Sequence, residues 1–116
     1  MQGVAIEREQ TRKFIAENPV NVVLTRRTKV ADGAGGSRDT TLALPAQRMR
    51  AIPQRSGVSV ERRTVNGVTV TPDLVLQGEH NCDIQRGDWF TYNGIAMEVV
   101  WVTTLPYEKL AEVTMR

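Results

Sequence analysis

His80 and Cys82, two residues apart in "EHNCD" with Asp83 beside the thiol, are the side chains whose types and spacing come nearest to reactive chemistry. An imidazole near a thiol suggests a nucleophile with its base, or part of a metal site. A structural metal needs about four ligands, and the chain holds one cysteine and one histidine in all. Residues two apart on a strand share a face, but sharing a face does not supply hydrogen-bond geometry. The pair therefore reads as a turn-region histidine and a small buried thiol. "DGAGG", residues 32–36, is rich in glycine, yet neither Gly-Lys-Ser/Thr nor a helix N-terminus follows to cradle a phosphate. Arg86-Gly87-Asp88 spells an integrin-type tripeptide but runs straight into an aromatic strand, where turn chemistry explains it. No carboxylate pair can be placed in a pocket. The sequence reads as non-enzymatic, with neither metal nor cofactor implied.

The remaining chemical signal is charge. The chain has 116 residues and a formal net charge of +2, which conceals a strong asymmetry. Residues 1–63 carry twelve Lys/Arg against six Asp/Glu, whereas residues 64–116 carry three against seven. Such a division suits a polyanion partner, or a basic face meeting an acidic face of another copy. Arg48, Arg50, Arg55, Arg62 and Arg63 crowd one region, with Glu61 as the only acid from 40 to 72. These arginines could contact phosphates. A means of reading bases, either a groove-sized helix or exposed aromatics for stacking, is not evident.

The elements that must position these residues are mostly strands. A chain of this length can bury one core unaided, and a single cysteine rules out an intrachain disulfide. The opening residues turn charged too early for a secretory leader, and no apolar run approaches the ~20 residues of a membrane span. We therefore expect a soluble intracellular protein. Residues 3–17 predict a short helix with Ile6 and Phe14 on one face and a Glu9–Lys13 pair, ended by Asn18-Pro19. "PVNVVLTRRTKV" predicts a strand with Val20, Val22 and Leu24 inward, and "ADGAGGSRD" a flexible loop. "TLALPAQRMRAIP" predicts a second strand with Leu42, Leu44, Ala46, Arg48 and Arg50 in one phase.

Two Asn-Gly turns predict two hairpins of opposite character. Around Asn93-Gly94, Tyr92 faces Ile95, Phe90 faces Met97 and Trp89 faces Glu98, giving a core-facing ribbon of Phe90, Tyr92, Ile95, Met97, Val99 and Trp101. Around Asn66-Gly67, Val65 faces Val68 and Arg63 faces Val70, and neither face is continuously apolar. This second hairpin is expected to project into solvent. A last strand follows in "PYEKLAEVTMR". The fold class is mainly β: a small antiparallel barrel or sandwich with a short N-terminal helix and a long projecting hairpin. One domain divides into a helical arm (1–18), first strands (19–52), the projecting segment (53–73) and the C-terminal ribbon with the last strand (74–116).

The order of "VVLTRRTKVADGAGGSRD", "LPAQRMRAIPQ", a variable middle, "RGDWFTYNGIAMEVVWVTTLP" and "EKLAEVTMR" resembles the head–tail joining proteins of tailed bacteriophages. The resemblance covers about residues 20–115. It rests on the order and spacing of ordinary hairpin motifs, with Met97 where an aromatic is more usual. It implies a β-barrel subunit of a homo-oligomeric ring in the virion neck, below the portal or adaptor ring and above the tail tube or terminator. Stopper members of the family help to retain packaged double-stranded DNA. By that resemblance, Arg55, Arg62, Arg63, Asn66 and Gly67 are candidates to face the DNA channel. Arg26, Arg27, Arg48, Arg50, Ile6 and Phe14 are candidates for the ring interface, and Asp32, Gly33, Gly35 and Gly36 for a flexible docking loop. A neighbouring adaptor or tail-completion role, and a free cytoplasmic nucleic-acid-binding barrel, are the alternatives.

Overall fold

A computed structural model describes residues 2–31, 33, 35–53, 63–65, 68–70 and 72–116. Among these residues one helix, α1 (Gln2–Glu17), precedes ten strands: β1 (Val20–Val22), β2 (Thr25–Ala31), β3 (Ser37–Ala43), β4 (Gln47–Pro53), β5 (Arg63–Val65), β6 (Val68–Val70), β7 (Leu74–Glu79), β8 (Trp89–Tyr92), β9 (Ile95–Thr104) and β10 (Glu108–Met115). Eight strands form one antiparallel sheet in the order β1-β4-β7-β10-β9-β8-β2-β3. The sheet curls into a half-barrel, far enough that β1 comes against β8. The mainly β class, with its N-terminal helix, is as expected.

The core fills the inside of this curl. Leu24, Met49, Leu74, Leu76, Phe90, Met97, Val99 and Val113 are buried together, with Ile84 from the β7–β8 connection among them. Val20, Val22 and Leu24 face this core as their alternation predicts. They do not belong to one strand, however. The chain breaks after Val22, so that β1 pairs with β4 at one end of the sheet and β2 joins β8 and β3 at the other. A short bend thus hands the chain from one end of the sheet to the other. Leu44 N donates to Leu24 O at 2.8 Å and ties the two crossings together.

The second extended stretch also breaks, and its phase inverts. Pro45 lies between β3 and β4, and beyond it Met49 and Ala51 turn inward rather than Arg48 and Arg50. Leu42, expected inside, is exposed. Beyond Thr25, whose partner is Trp89, the other residues of β2 pair only with β3. The ends of the segment expected to be a loop, Ala31 and residues 37–39, therefore belong to a two-stranded arm, braced by a Thr28–Thr40 hydroxyl contact of 3.1 Å.

The Asn93-Gly94 hairpin forms with the expected register, from Tyr92↔Ile95 to Trp89↔Glu98. Both turn residues have positive φ, as a type I′ turn requires. Its core face is shorter than expected at both ends. Ile95, at the tip, is exposed. At the other end Val99 pairs with Val113 and Trp101 with Glu112, leaving Val100 as the extra residue of a bulge. A one-residue bulge exchanges the faces, so Val102 packs on the core and Trp101 does not continue it.

The Asn66-Gly67 segment pairs Arg63↔Val70, Thr64↔Thr69 and Val65↔Val68 in a two-stranded sheet separate from the main one. Residues 66 and 67 themselves, and the calls on Asp32, Arg55 and Arg62, lie outside the described residues.

The helix lies against β4 and β7, on the face of the sheet opposite the Leu74/Leu76 core. Its buried residues are Thr11 and Ile15, with Val4 and Arg8 half-buried in the same stripe. Ile6 and Phe14 are exposed instead. Polar anchors set this orientation. Arg8 Nε donates to Pro106 O at 2.9 Å, Arg12 reaches Glu79 at 3.3 Å, and Arg50 Nη1 donates to Phe14 O at 2.9 Å. Glu9 pairs with Arg12 at 2.8 Å, three residues on, where Lys13 was the expected partner.

Gly78 sits where β7 passes under Cys82: a Cβ there would lie 2.5 Å from Cys82 Sγ. Gly78→Ala is expected to destabilise the protein by about 1–3 kcal/mol through overpacking. Cys82→Ala in that background should recover most of the loss, and urea unfolding of the four proteins of this cycle measures the coupling.

Candidate functional site

The β7–β8 connection, residues 80–88, spans the mouth of the half-barrel and is held from both sides. From β4, Gln47 makes a reciprocal pair with the Asp83 backbone: Nε2 donates to Asp83 O and Oε1 accepts from Asp83 N, both at 2.7 Å. From β2, Arg26 reaches Asp88 and Asp83. Its Nε donates to Asp88 Oδ1 at 2.9 Å, and its Nη2 donates to Asp88 Oδ2 at 2.8 Å and to Asp83 Oδ1 at 2.9 Å. Gln85 N donates to Asp88 Oδ2 at 2.8 Å. Asp88 is 1% exposed, so every carboxylate contact is made within the protein. The integrin-type tripeptide accordingly presents no aspartate. The hydrogen bond to Asp88, with a further contribution from Asp83, raises the Arg26 guanidinium above its ordinary range despite burial. A raised base stabilises the fold below its unfolded pKa and is lost only as pH climbs through the folded value. Arg26 therefore acts as a permanent charge at any working pH.

This pair underlies a cleft of about 280 Å³ between β2, the 85–88 turn and the end of β10. Arg27, Arg86, Trp89, Glu98 and Arg116 line it above Arg26 and Asp88. Trp89 points outward here, with the Arg116 guanidinium 4.3 Å and the Arg27 guanidinium 6.0 Å from its ring centre. Arg116 also approaches Glu98 at 3.9 Å, a loose contact. Among the described residues, Arg27 and Arg86 form no ion pair. Four arginines against two carboxylates leave an excess of positive charge beside a partly exposed indole. That surface can bind phosphate oxygens, and the half-exposed Trp89 supplies an aromatic face that was not evident from the sequence.

The expected interface residues divide. Arg26 and Arg50 make contacts within the subunit: Arg26 holds the 80–88 connection, and Arg50, on the helix-covered face, binds Phe14 O, contacts Glu17 at 3.3 Å and stacks 3.7 Å from the Phe14 ring. Arg27, Arg48, Ile6 and Phe14 are exposed. Gly33 and Gly35 lie at the exposed tip of the arm with φ of +82° and +86°, conformations that favour glycine, and Gly36 is exposed beside them. Arg63 stands opposite Val70 in the separate ribbon. The Asn93-Gly94 turn already places Glu98 opposite Trp89, but nothing in the sequence marks Arg116 as a partner of Trp89, because that contact depends on the β9–β10 register.

His80 lies in the turn after β7, and the Cys82 thiol packs over Gly78. Burial pushes this thiol up from its ordinary value, partly opposed by Lys109. Lys109 Nζ donates to Cys82 O at 2.8 Å. The raised value favours the neutral thiol in the fold, so this contribution is lost as pH rises through the thiol range. Among the described residues no three His, Cys, Asp or Glu gather to hold a metal, and no helix is long and apolar enough to cross a membrane. No protein-family model matches the chain, and no curated protein is significantly similar to it.

Two outcomes follow from these contacts. Arg26→Ala strands a buried carboxylate and is expected to cost about 3–5 kcal/mol in urea unfolding, whereas Arg86→Ala should change stability by no more than about 0.5 kcal/mol. Iodoacetamide at pH 8 should label Cys82 at least tenfold more slowly in the native protein than in urea, because the native thiol is both shielded and less ionised.

Proposed function

We propose that the chain is a bacteriophage head-to-tail connector subunit of stopper type, a non-enzymatic component of a ring through which packaged DNA passes. The observation that carries this reading is the ribbon Arg63–Val70, which is inserted between β4 and β7 but takes no place in the eight-stranded sheet. Arg55, Arg62 and Arg63 belong to this insertion in the sequence, and under this reading they face the channel. Ring symmetry turns a few arginines per subunit into a collar. Duplex DNA presents one negative charge about every 1.7 Å, so a collar grips it without reading sequence. The curled sheet supplies a rigid wall, and the β2–β3 arm and exposed Ile6 and Phe14 supply surface for neighbouring subunits and rings.

The cleft around Trp89 favours a second reading, a nucleic-acid-binding half-barrel that acts free of any ring. Its phosphate contacts would come from Arg27, Arg86 and Arg116, with Trp89 as the stacking surface.

Electron microscopy of isolated particle necks separates the two. The connector reading expects density for this chain in a ring at the portal–tail junction; density only in the shell or at the tail tip overturns it. Joint replacement of Arg62 and Arg63 by Ala should leave the melting temperature unchanged and reduce the DNA-filled fraction of particles severalfold. The free-binder reading expects tight binding of the isolated chain to loose DNA. On that reading, Arg27→Ala with Arg86→Ala should lower the slope of log affinity against log salt by about 2.

A further inference from the structure

We propose that the groove between α1 and the start of β10 is a guanidinium-binding site. This inference is independent of the connector reading. The groove has a volume of about 460 Å³ and is lined by Glu7, Thr11, Phe14, Gln77, Tyr107 and Glu108, with Gln10 at its margin. Its charged lining residues are two carboxylates, and no Lys or Arg lines it.

At its base lies Gln77, 8% exposed, on the sheet face that α1 covers. The side-chain amide donates from Nε2 to Glu108 Oε1 at a long 3.4 Å, and its Oε1 is buried without a hydrogen-bond partner. The opposite amide orientation would set the oxygen against the Glu108 carboxylate, two acceptors facing one another. The orphan acceptor is therefore fixed by its neighbour. A buried, unpaired acceptor is costly, and a ligand whose entry turns this amide towards the groove and donates to its oxygen removes the penalty.

The donor must also satisfy Glu108 and Glu7. A hard metal ion wants about six or more oxygens at close range, and the groove offers two carboxylates and one amide oxygen. A planar fork with several divergent N–H groups suits separated acceptors better. Guanidinium provides five donors in fixed geometry and a face that stacks on aromatic rings. Tyr107 provides such a ring. The chain already uses this contact once, with Arg50 stacked 3.7 Å from the Phe14 ring.

The test is a titration of the ¹⁵N-labelled full chain with N-acetyl-arginine amide, with the corresponding citrulline and lysine compounds as controls. The arginine compound should shift the Gln77 side-chain amide and the Thr11 and Glu108 backbone amides saturably, with a Kd of order 1 mM for one side chain. Lysine should bind at least tenfold more weakly, and citrulline, neutral but isosteric, should have no saturable effect. Glu108→Gln keeps the size of the side chain and should weaken arginine binding about tenfold. Equal responses to arginine and citrulline, or an unchanged affinity in Glu108→Gln, would overturn the assignment. Sedimentation of the same protein names the source of the group. Concentration-dependent association reversed by excess blocked arginine assigns the guanidinium to a second copy. A monomer that still binds the compound assigns it to a free guanidinium ligand. Either result keeps the site.

Discussion

Among the described residues the half-barrel does not close through backbone pairing, so its mouth depends on side chains, and chiefly on the grip of Arg26 on Asp88 and Asp83. Arg26 sits near the start of β2, close to the end of the sheet, and Asp83 and Asp88 belong to the connection that crosses the open side. Gln47 binds the same connection from β4, near the opposite end. Between these two anchors Ile84 enters the core. Removing the guanidinium would leave a buried carboxylate with only the Gln85 N–H to offset its desolvation, which is a larger effect than the loss of any surface pair. The position of Trp89, next in sequence to Asp88, and hence the shape of the basic cleft, follow from the same grip.

Much of the fold could be read from local pattern. Asn93-Gly94 dictates a two-residue turn, and that turn fixes the pairing of every residue in β8. The valines and leucine at 20, 22 and 24 announce their inward face by alternation alone. What was not legible came from single-residue events that reset the phase. Pro45 interrupts a run that looks continuous, and Val100 inserts one residue opposite the Glu112–Val113 step. Each exchanges inside for outside without altering composition. The helix misled for a different reason: hydrophobic spacing pointed to Ile6 and Phe14, but contacts of Arg8, Arg12 and Arg50 rotate it to bury Thr11 and Ile15 instead. With so thin an apolar stripe, polar contacts decide the orientation.

The charge division seen along the chain does not map onto the surface as two halves. The basic cleft draws Arg86 and Arg116 from the acidic half of the sequence, and the acidic groove draws Glu7 from the basic half. Folding nevertheless keeps the signs apart. Glu108 begins β10 and Arg116 follows its end, so this one strand, at about 3.3 Å per residue, holds the two regions roughly 26 Å apart. The candidate site was thus legible as a type of surface, arginine-rich, but not as a place.

The β2–β3 arm rests on the body at its base, where Thr25 meets Trp89 and Leu44 binds Leu24. Beyond Arg26 and Arg27 the arm pairs, among the described residues, only within its own ladder, and a lone two-stranded ribbon is marginal in water. Protection of its amides from exchange must therefore decline from root to tip. The same gradient makes the distal turn the cheapest part of the molecule to reshape, while the root stays registered to the wall of the barrel.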